Sequence, residues 1–142
     1  MVLKIQRLFP AAKLPTYSTE GAAAFDFYAT ETLQIREGWP ATFSTGLKAE
    51  VPEGYVLLLF SRSGHGFNKG IRLVNCVGVI DSDYRGEIKI KRTADATGGG
   101  LIQEGDRIAQ GLLVEIPRVQ IEEVEKLSET RRGEGGFGST GR

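Results

Sequence analysis

The stretch NCVGVIDSDYRGEIKI at 75–90 carries more chemistry than a turn requires. Asp81, Asp83, Tyr84 and Arg85 crowd into a few residues closed by Gly86. Asp and Gly favour turns by themselves, so an ordinary hairpin is the plain reading. A Tyr set between two acids and an Arg puts a functional reading ahead of it. Asn75 reads as a polar residue inside an otherwise apolar strand. A buried amide left unpaired costs about 1–3 kcal/mol, so it needs partners, and the edge of a nucleobase is one. The chain has one His and one Cys, too few for a zinc site of three or four N/S ligands. A general base must therefore be sought among the carboxylates.

Three further stretches hold residues suited to an anion. In FSRSGHG at 60–66 an apolar strand runs into Arg62, a planar fork of donors for phosphate oxygens. Ser63 adds a hydroxyl, and Gly64 lets the backbone approach a ligand. On this stretch alone a surface turn with a salt-bridged Arg is preferred, with His65 as a loop residue. No G-x-S-x-G is present, so a serine hydrolase is excluded. In GDRIAQG at 105–111, Gln110 follows two apolar residues without an evident structural need, and an exposed Gln after a turn explains it equally well. In AAFDFYA at 23–29, alternation assigns Asp26 to the polar face of a strand. The chain closes on GEGGFGSTG at 133–141, a glycine-rich segment with Phe137 in its middle.

The elements that must position these groups are short. LKI, AFDFYA, TLQIR, LKAEV, EIKIK and LLVEIPRV alternate apolar with polar or small residues, the period of half-buried strands. Turns at PEG, GHG, ATGGG and EGD separate them. RTADATGGG at 92–100 reads as a surface loop, and only IEEVEKL at 121–127 has apolar residues at helical spacing. Many short strands predict an all-β barrel or sandwich. Apolar residues nearly vanish after about Ser128, so residues 1–127 form the expected domain and 128–142 an arm that cannot fold alone.

Composition narrows the partners. Lys plus Arg and Asp plus Glu are 18 each, which disfavours the basic surface of sequence-blind nucleic-acid binding. The longest apolar run, YVLLLF, is too short for a bilayer. A single Cys and the lack of a signal-like start fit a reducing, cytoplasmic setting.

In order along the chain, AAFDFYA, SRSGHG, GVIDSDYRGEI, GDRIAQ and RGEGGFGSTG resemble the five motifs of the trimeric deoxyuridine triphosphatases (dUTPases). The third and fifth are the specific ones. The resemblance implies a distorted jelly-roll β-barrel and a homotrimer whose three sites are shared between chains. It implies hydrolysis of dUTP to dUMP and pyrophosphate with magnesium, which keeps uracil out of DNA and supplies dUMP for dTMP synthesis. Asp81 is then similar to the catalytic carboxylate that activates water at the α-phosphate. Asn75 matches the amide on the uracil edge, and Tyr84 the ring beneath the deoxyribose. Arg62, Ser63, Gly64 and Gln110 resemble the phosphate binders, with Asp26 supporting Arg62 and Asp83 supporting the turn. Arg132 would add charge near the phosphates, Phe137 would stack on the base, and Gly138, Ser139 and Thr140 would meet the phosphates. Mg2+ would ride on the triphosphate, with Asp26 reaching it through water at most.

One departure stands out: many members follow Arg-Ser-Gly with Leu-Ala, and here the pair is His65-Gly66. Two other readings remain open at this point. Deaminases of dCTP share the fold but lack the Phe-Gly-Ser-Thr arm, and a nucleotide-responsive binding protein would use the same groups without turnover.

Overall fold

The computed structural model describes residues 1–137. The alternating segments form twelve strands: β1 (Lys4–Arg7), β2 (Thr16–Tyr17), β3 (Phe25–Tyr28), β4 (Leu33–Arg36), β5 (Ala41–Ser44), β6 (Leu47–Glu50), β7 (Tyr55–Phe60), β8 (Ile71–Leu73), β9 (Val77–Ile80), β10 (Lys89–Ala94), β11 (Gly99–Ile102) and β12 (Arg107–Glu115). They pair antiparallel in four sheets, β1-β6, β5-β10-β8, β11-β4 and β2-β3-β12-β7-β9. This is the expected all-β architecture, a jelly roll broken into short sheets. Its core gathers Phe27, Phe43, Ile35, Leu57, Ile90 and Ile108, all fully buried. No helix of the described residues is long and apolar enough to cross a membrane.

Strand patterns follow from what covers each face. In β10, Lys89 and Lys91 point outward while Ile90, Arg92 and Ala94 point inward, the period-two pattern of a strand buried on one face. β7 is nearly continuous in apolar residues because β12 covers one edge and β9 the other, and both its faces are largely screened. β12 breaks the alternation. Its register against β3 shifts between Arg107 and Ala109, and both Ile108 and Ala109 are fully buried. Two consecutive inward residues leave Arg107 and Gln110 on the outer side together, a bulge's usual effect of re-aiming side chains.

Two elements differ from the sequence reading. The helix of the described residues is α1 (Ser63–Lys69), not 121–127. It is short, has glycines at 64 and 66, and buries none of its residues, so no apolar period announces it. Gly70 ends it at φ 58°, donating to the carbonyls of Gly66 and His65, a conformation that glycine adopts without strain. Segment 121–127 has the apolar period but no surface to lay it on. Ile121 is 93% exposed and Leu127 79%, and a helix this short is unstable without packing. RTADATGGG is a surface loop only in its middle, where Asp95, Ala96 and Thr97 are exposed. Arg92, Thr93 and Ala94 finish β10 and Gly99 and Gly100 begin β11, with Arg92 fully buried.

Gly111, beside Gln110, marks where β12 crosses the core most closely. A Cβ there would lie 2.7 Å from a Phe25 ring carbon, 2.8 Å from one of Phe27 and 3.1 Å from Leu57 Cδ1. Gly111→Ala should cost about 1–3 kcal/mol by overpacking. Urea unfolding measures this, and an unchanged midpoint would mean the two rings move aside freely.

Candidate active site

Asp26 is the meeting point of three of the sequence stretches. Register pairs Asp26 with Gln110 across β3 and β12, and Gln110 with Phe60 across β12 and β7. Arg62 follows Phe60 by two residues and turns back, donating from Nε to Asp26 Oδ1 at 2.8 Å. Ser18 Oγ donates to Asp26 Oδ2 at 2.7 Å, and Arg107 Nη1 lies 3.2 Å from the same oxygen. Alternation correctly set Asp26 on the face opposite Phe25 and Phe27. That face is not solvated, however: two guanidiniums cover it and leave Asp26 5% exposed. One carboxylate between two guanidiniums leaves the group with a net positive charge.

One of these arginines heads the first turn of α1. Arg62 is its N-cap residue, with extended backbone and no side-chain cap. The first amides of any helix lack intrahelical acceptors, and here Ser63 and Gly64 carry them on an exposed turn beside the Arg62–Asp26–Arg107 cluster. Behind this turn lies His65, a helix residue rather than a loop residue. Its Nδ1 is 2.8 Å from Arg92 Nη2. Burial first, then the charges of Arg92, Arg62 and Lys69, hold the imidazole at about 4, against an ordinary 6.5, with Asp106 opposing.

A second cluster sits on the 75–87 hairpin. Asn75 is exposed and lies in the turn between β8 and β9, not within an apolar strand, so it bears no burial penalty. Cys76 follows at φ 59°, and Val77 N–H closes onto the Asn75 carbonyl at 2.6 Å. A cleft of about 290 Å³ opens beside it, lined by Leu59, Gly78, Ile80 and Ile90 among others. Beyond β9, Asp81 and Asp83 are exposed. Arg85 is a turn clamp, donating from Nη1 to the carbonyls of Ser82 at 2.7 Å and Tyr84 at 3.0 Å. The Tyr84 hydroxyl donates to the Glu87 carbonyl at 3.0 Å, and the ring folds so closely over Gly86 that a Cβ there would overlap it. The turn therefore fixes Tyr84 and leaves the carboxylate of Asp81 facing solvent.

The Asp81–Tyr84 turn lies at the opposite end of β7 from the cation cluster, whereas Asn75 lies at the same end as that cluster. β9 runs antiparallel to it, with Val77 opposite Phe60 and Ile80 opposite Leu57. Asp81 thus falls beside Val56, four residues from Phe60 at the other end of β7, or about 13 Å at roughly 3.3 Å per residue. The third group of predicted residues stands apart from both. Arg132 closes a local turn through Nε to the Gly135 carbonyl at 2.7 Å, and Phe137 is fully exposed with φ 51°. Gly138, Ser139 and Thr140 lie outside the described residues.

A profile of the dUTPase family matches residues 11–141. The chain belongs to the dUTPase family. It is similar to the deoxyuridine 5'-triphosphate nucleotidohydrolase of Wolinella succinogenes, 44% identical over 142 residues that cover 100% of this chain and 95% of that one. The protein of the same name from Nautilia profundicola is 43% identical over 142 residues, covering 100% of both chains. Among solved structures, a mutant dUTPase of Staphylococcus bacteriophage 80alpha with dUpNHpp superposes with a TM-score of 0.90 at 28% identity, covering 99% of each chain. A mutant dUTPase of phage phi11 of S. aureus, described for its coordination of a structural Mg(II) ion, has a TM-score of 0.81 at 26% identity, covering 89% of this chain and 98% of that one.

Two participants in this dUTPase's cation cluster escaped the sequence reading. Arg107 was visible inside GDRIAQ, but a strict period of two sets it on the face opposite Gln110, and only the bulge brings the two together. Ser18 carries no local signal at all; the short β2–β3 pairing delivers it. Asp26→Asn should confirm the cluster. Losing the one anion between Arg62 and Arg107 should lower stability by about 1–3 kcal/mol, less than for a wholly buried pair because Arg107 is partly solvated. Equal urea midpoints for the two proteins would refute it.

His65 adds a pH dependence. Its folded value lies below the unfolded one, so on acidification the unfolded chain takes up this proton first and stability falls from about 6.5 down to about 4. His65→Gln should flatten the fall between pH 7 and pH 5 in urea unfolding. An identical fall in the variant would show that other groups cause it.

Proposed function

We propose that this chain hydrolyses dUTP to dUMP and pyrophosphate, and that each site is built from more than one copy of it. The names of its relatives support the reaction. The observation that supports the sharing is the order of groups along β9. Asn75 lies at the end nearest the chain's own Arg62, and Asp81 at the far end. A nucleotide with its base at Asn75 and its α-phosphorus at Asp81 sends its β- and γ-phosphates away from that Arg62. Phosphate donors must then come from another subunit.

Within the site, Asp81 accepts a proton from water as its oxygen attacks the α-phosphorus. The bond from that phosphorus to the bridging oxygen breaks, and pyrophosphate leaves. A positioned base of this kind is worth roughly 10²–10⁴-fold. Tyr84, braced by Gly86 and the Glu87 carbonyl, packs under the deoxyribose where a 2′-hydroxyl would collide. Asn75 pairs with the uracil edge. Arg62, Ser63, Gly64, Gln110 and Arg107 bind the phosphates, and Asp26 holds the two arginines apart and aimed. Arg132, Phe137, Gly138, Ser139 and Thr140 close over the nucleotide, with Phe137 stacking on the base for about 1–3 kcal/mol.

Mg2+ fits this site as a passenger on the triphosphate. No group of three or more His, Cys, Asp or Glu among the described residues could hold it, and Asp26 already has both oxygens engaged by cations and Ser18. On the phosphates it would neutralise charge and favour pyrophosphate as a leaving group.

A homotrimer supplies the missing halves and covers apolar surface. After β12, residues 116–137 form no strand or helix and expose Val119, Ile121 and Leu127. A groove of about 510 Å³ beside β1, lined by Leu3, Ile5, Tyr17, Phe25, Tyr55 and Leu113, has no charged side chain and suits such a segment from a second copy.

Pyrophosphate release from dUTP, dTTP, dCTP and UTP measured side by side tests the reaction, with turnover expected for dUTP alone; ammonia from dCTP would mean a deaminase. Subunit mixing tests the sharing. Asp81→Asn chains and chains lacking 133–142 should each be nearly inactive, and their mixed trimers should regain part of the activity. No recovery after confirmed exchange would overturn the shared site.

A further inference from the structure

Arg92 is out of place by ordinary rules. It occupies an inward position of β10, between Ile90 and Ala94, where strand alternation demands an apolar side chain. It is 0% exposed, and its Nε and Nη1 are buried without a hydrogen-bond partner. Its Nη2 bonds His65 Nδ1 at 2.8 Å. A guanidinium has donors only, so Nδ1 must accept, which assigns the imidazole proton to Nε2. The contact therefore exists with neutral His65 and charged Arg92.

A buried guanidinium without a carboxylate partner is costly. The charges around it make the position more unusual. Arg62 acts on Arg92 as a like charge, and Asp106 is the carboxylate opposing it. Arg62 and Lys69 are also on His65's side, again with Asp106 opposing. The positive charge lies behind the first turn of α1, on the far side from solvent, where low dielectric weakens its screening. Both residues meet in one contact, the His65–Arg92 hydrogen bond behind the turn.

We infer that Arg92 and His65 form a positioning unit for the triphosphate, in which the buried guanidinium ties down the turn carrying Ser63 and Gly64 through the imidazole and adds positive potential behind it. This inference rests on the dUTP reading above. Its consequence is selective. The unit acts on the β- and γ-phosphates, so it raises affinity for the triphosphate and leaves affinity for the monophosphate product nearly untouched. Cations held in place before the ligand arrives need no reorganisation on binding, and the anion relieves the repulsion among Arg62, Arg92 and Lys69.

Calorimetry with dUpNHpp and with dUMP, both with Mg2+, tests this on Arg92→Leu, Arg92→Lys, His65→Leu and His65→Gln. Arg92→Leu and His65→Leu should weaken dUpNHpp by about tenfold or more, the scale of one charge-assisted hydrogen bond. Binding of dUMP should change by less than about twofold. His65→Gln, which keeps an acceptor for Arg92, should restore most of the loss, and Arg92→Lys, which keeps charge but not the planar fork, should fall between. In steady state the loss should appear in KM more than in kcat. Parallel losses for both ligands, or a lowered melting temperature with both affinities intact, would reduce the pair to a packing role. Should Arg92→Leu fail to fold, His65→Leu against His65→Gln decides alone, and equal affinities there would sink the inference. Wild-type pyrophosphate release from dUTP is the separate control, because its absence would defeat the underlying reading whatever the variants do.

Discussion

Strand β7 is hydrogen-bonded along both edges, and most of the molecule's organisation follows from that pairing. On one edge β12 places Gln110 against Phe60 and carries on to Asp26 of β3. On the other edge β9 runs the opposite way, from Val77 beside Phe60 to Ile80 beside Leu57. A register slip of one residue on either edge would turn every side chain to the other face. Leu57 and Leu59 of β7 are both buried in the core. The cation cluster at one end and the Asp81–Tyr84 turn at the other are thus held at a fixed separation by six residues of strand. That separation is what divides the proposed site between chains.

The fold class was legible because period two survives in the strands that build it, as in EIKIK, whose lysines face out and isoleucines face in. The motif residues were legible as types but not as neighbours. Asp26 looked like a solvated strand residue, since nothing local reveals that Arg62, 36 positions later in the chain, folds back onto it. Asn75 looked buried because the stretch around it is apolar, yet the chain turns there and exposes it. The helix at 63–69 was hidden by two glycines and a lack of buried positions. The helical spacing at 121–127 forms no helix, because a period in the sequence carries no information about whether a partner surface exists. Arg92 was hidden for another reason: RTADATGGG read as a surface loop, and only the continuation of β10 beyond Ile90 turns it inward.

Charge is arranged here against local stability. Arg62, Arg107 and Arg92 converge near one end of the barrel, with Asp26 and Asp106 as the carboxylates recorded in their interactions. His65 stays neutral in their midst because burial and three cations oppose its proton. A sequence with 18 acidic and 18 basic residues could have neutralised this region and instead leaves it positive. Sites that bind anions commonly carry such local excess, with the rest of the fold supplying the stability that the cluster removes.

Assembly changes what this arrangement means. In a single chain the proposed phosphate donors and Asp81 lie at different ends of β7, and the proposed orientation of the triphosphate needs both. Under the proposed trimer, the cost of concentrating positive charge is met once, at folding, while the reacting geometry appears only on association. Activity per chain then depends on chain concentration wherever subunits dissociate, whereas the stability of the barrel core does not follow the same curve. The exposed Val119, Ile121 and Leu127 act on this balance from the other side, since leaving them in water favours association whether or not nucleotide is present. Nucleotide need not drive assembly in such a design. Under the proposed reading it meets a surface whose donors are held beside β7 on one subunit and whose carboxylate is held by the Tyr84 turn on another, before it binds.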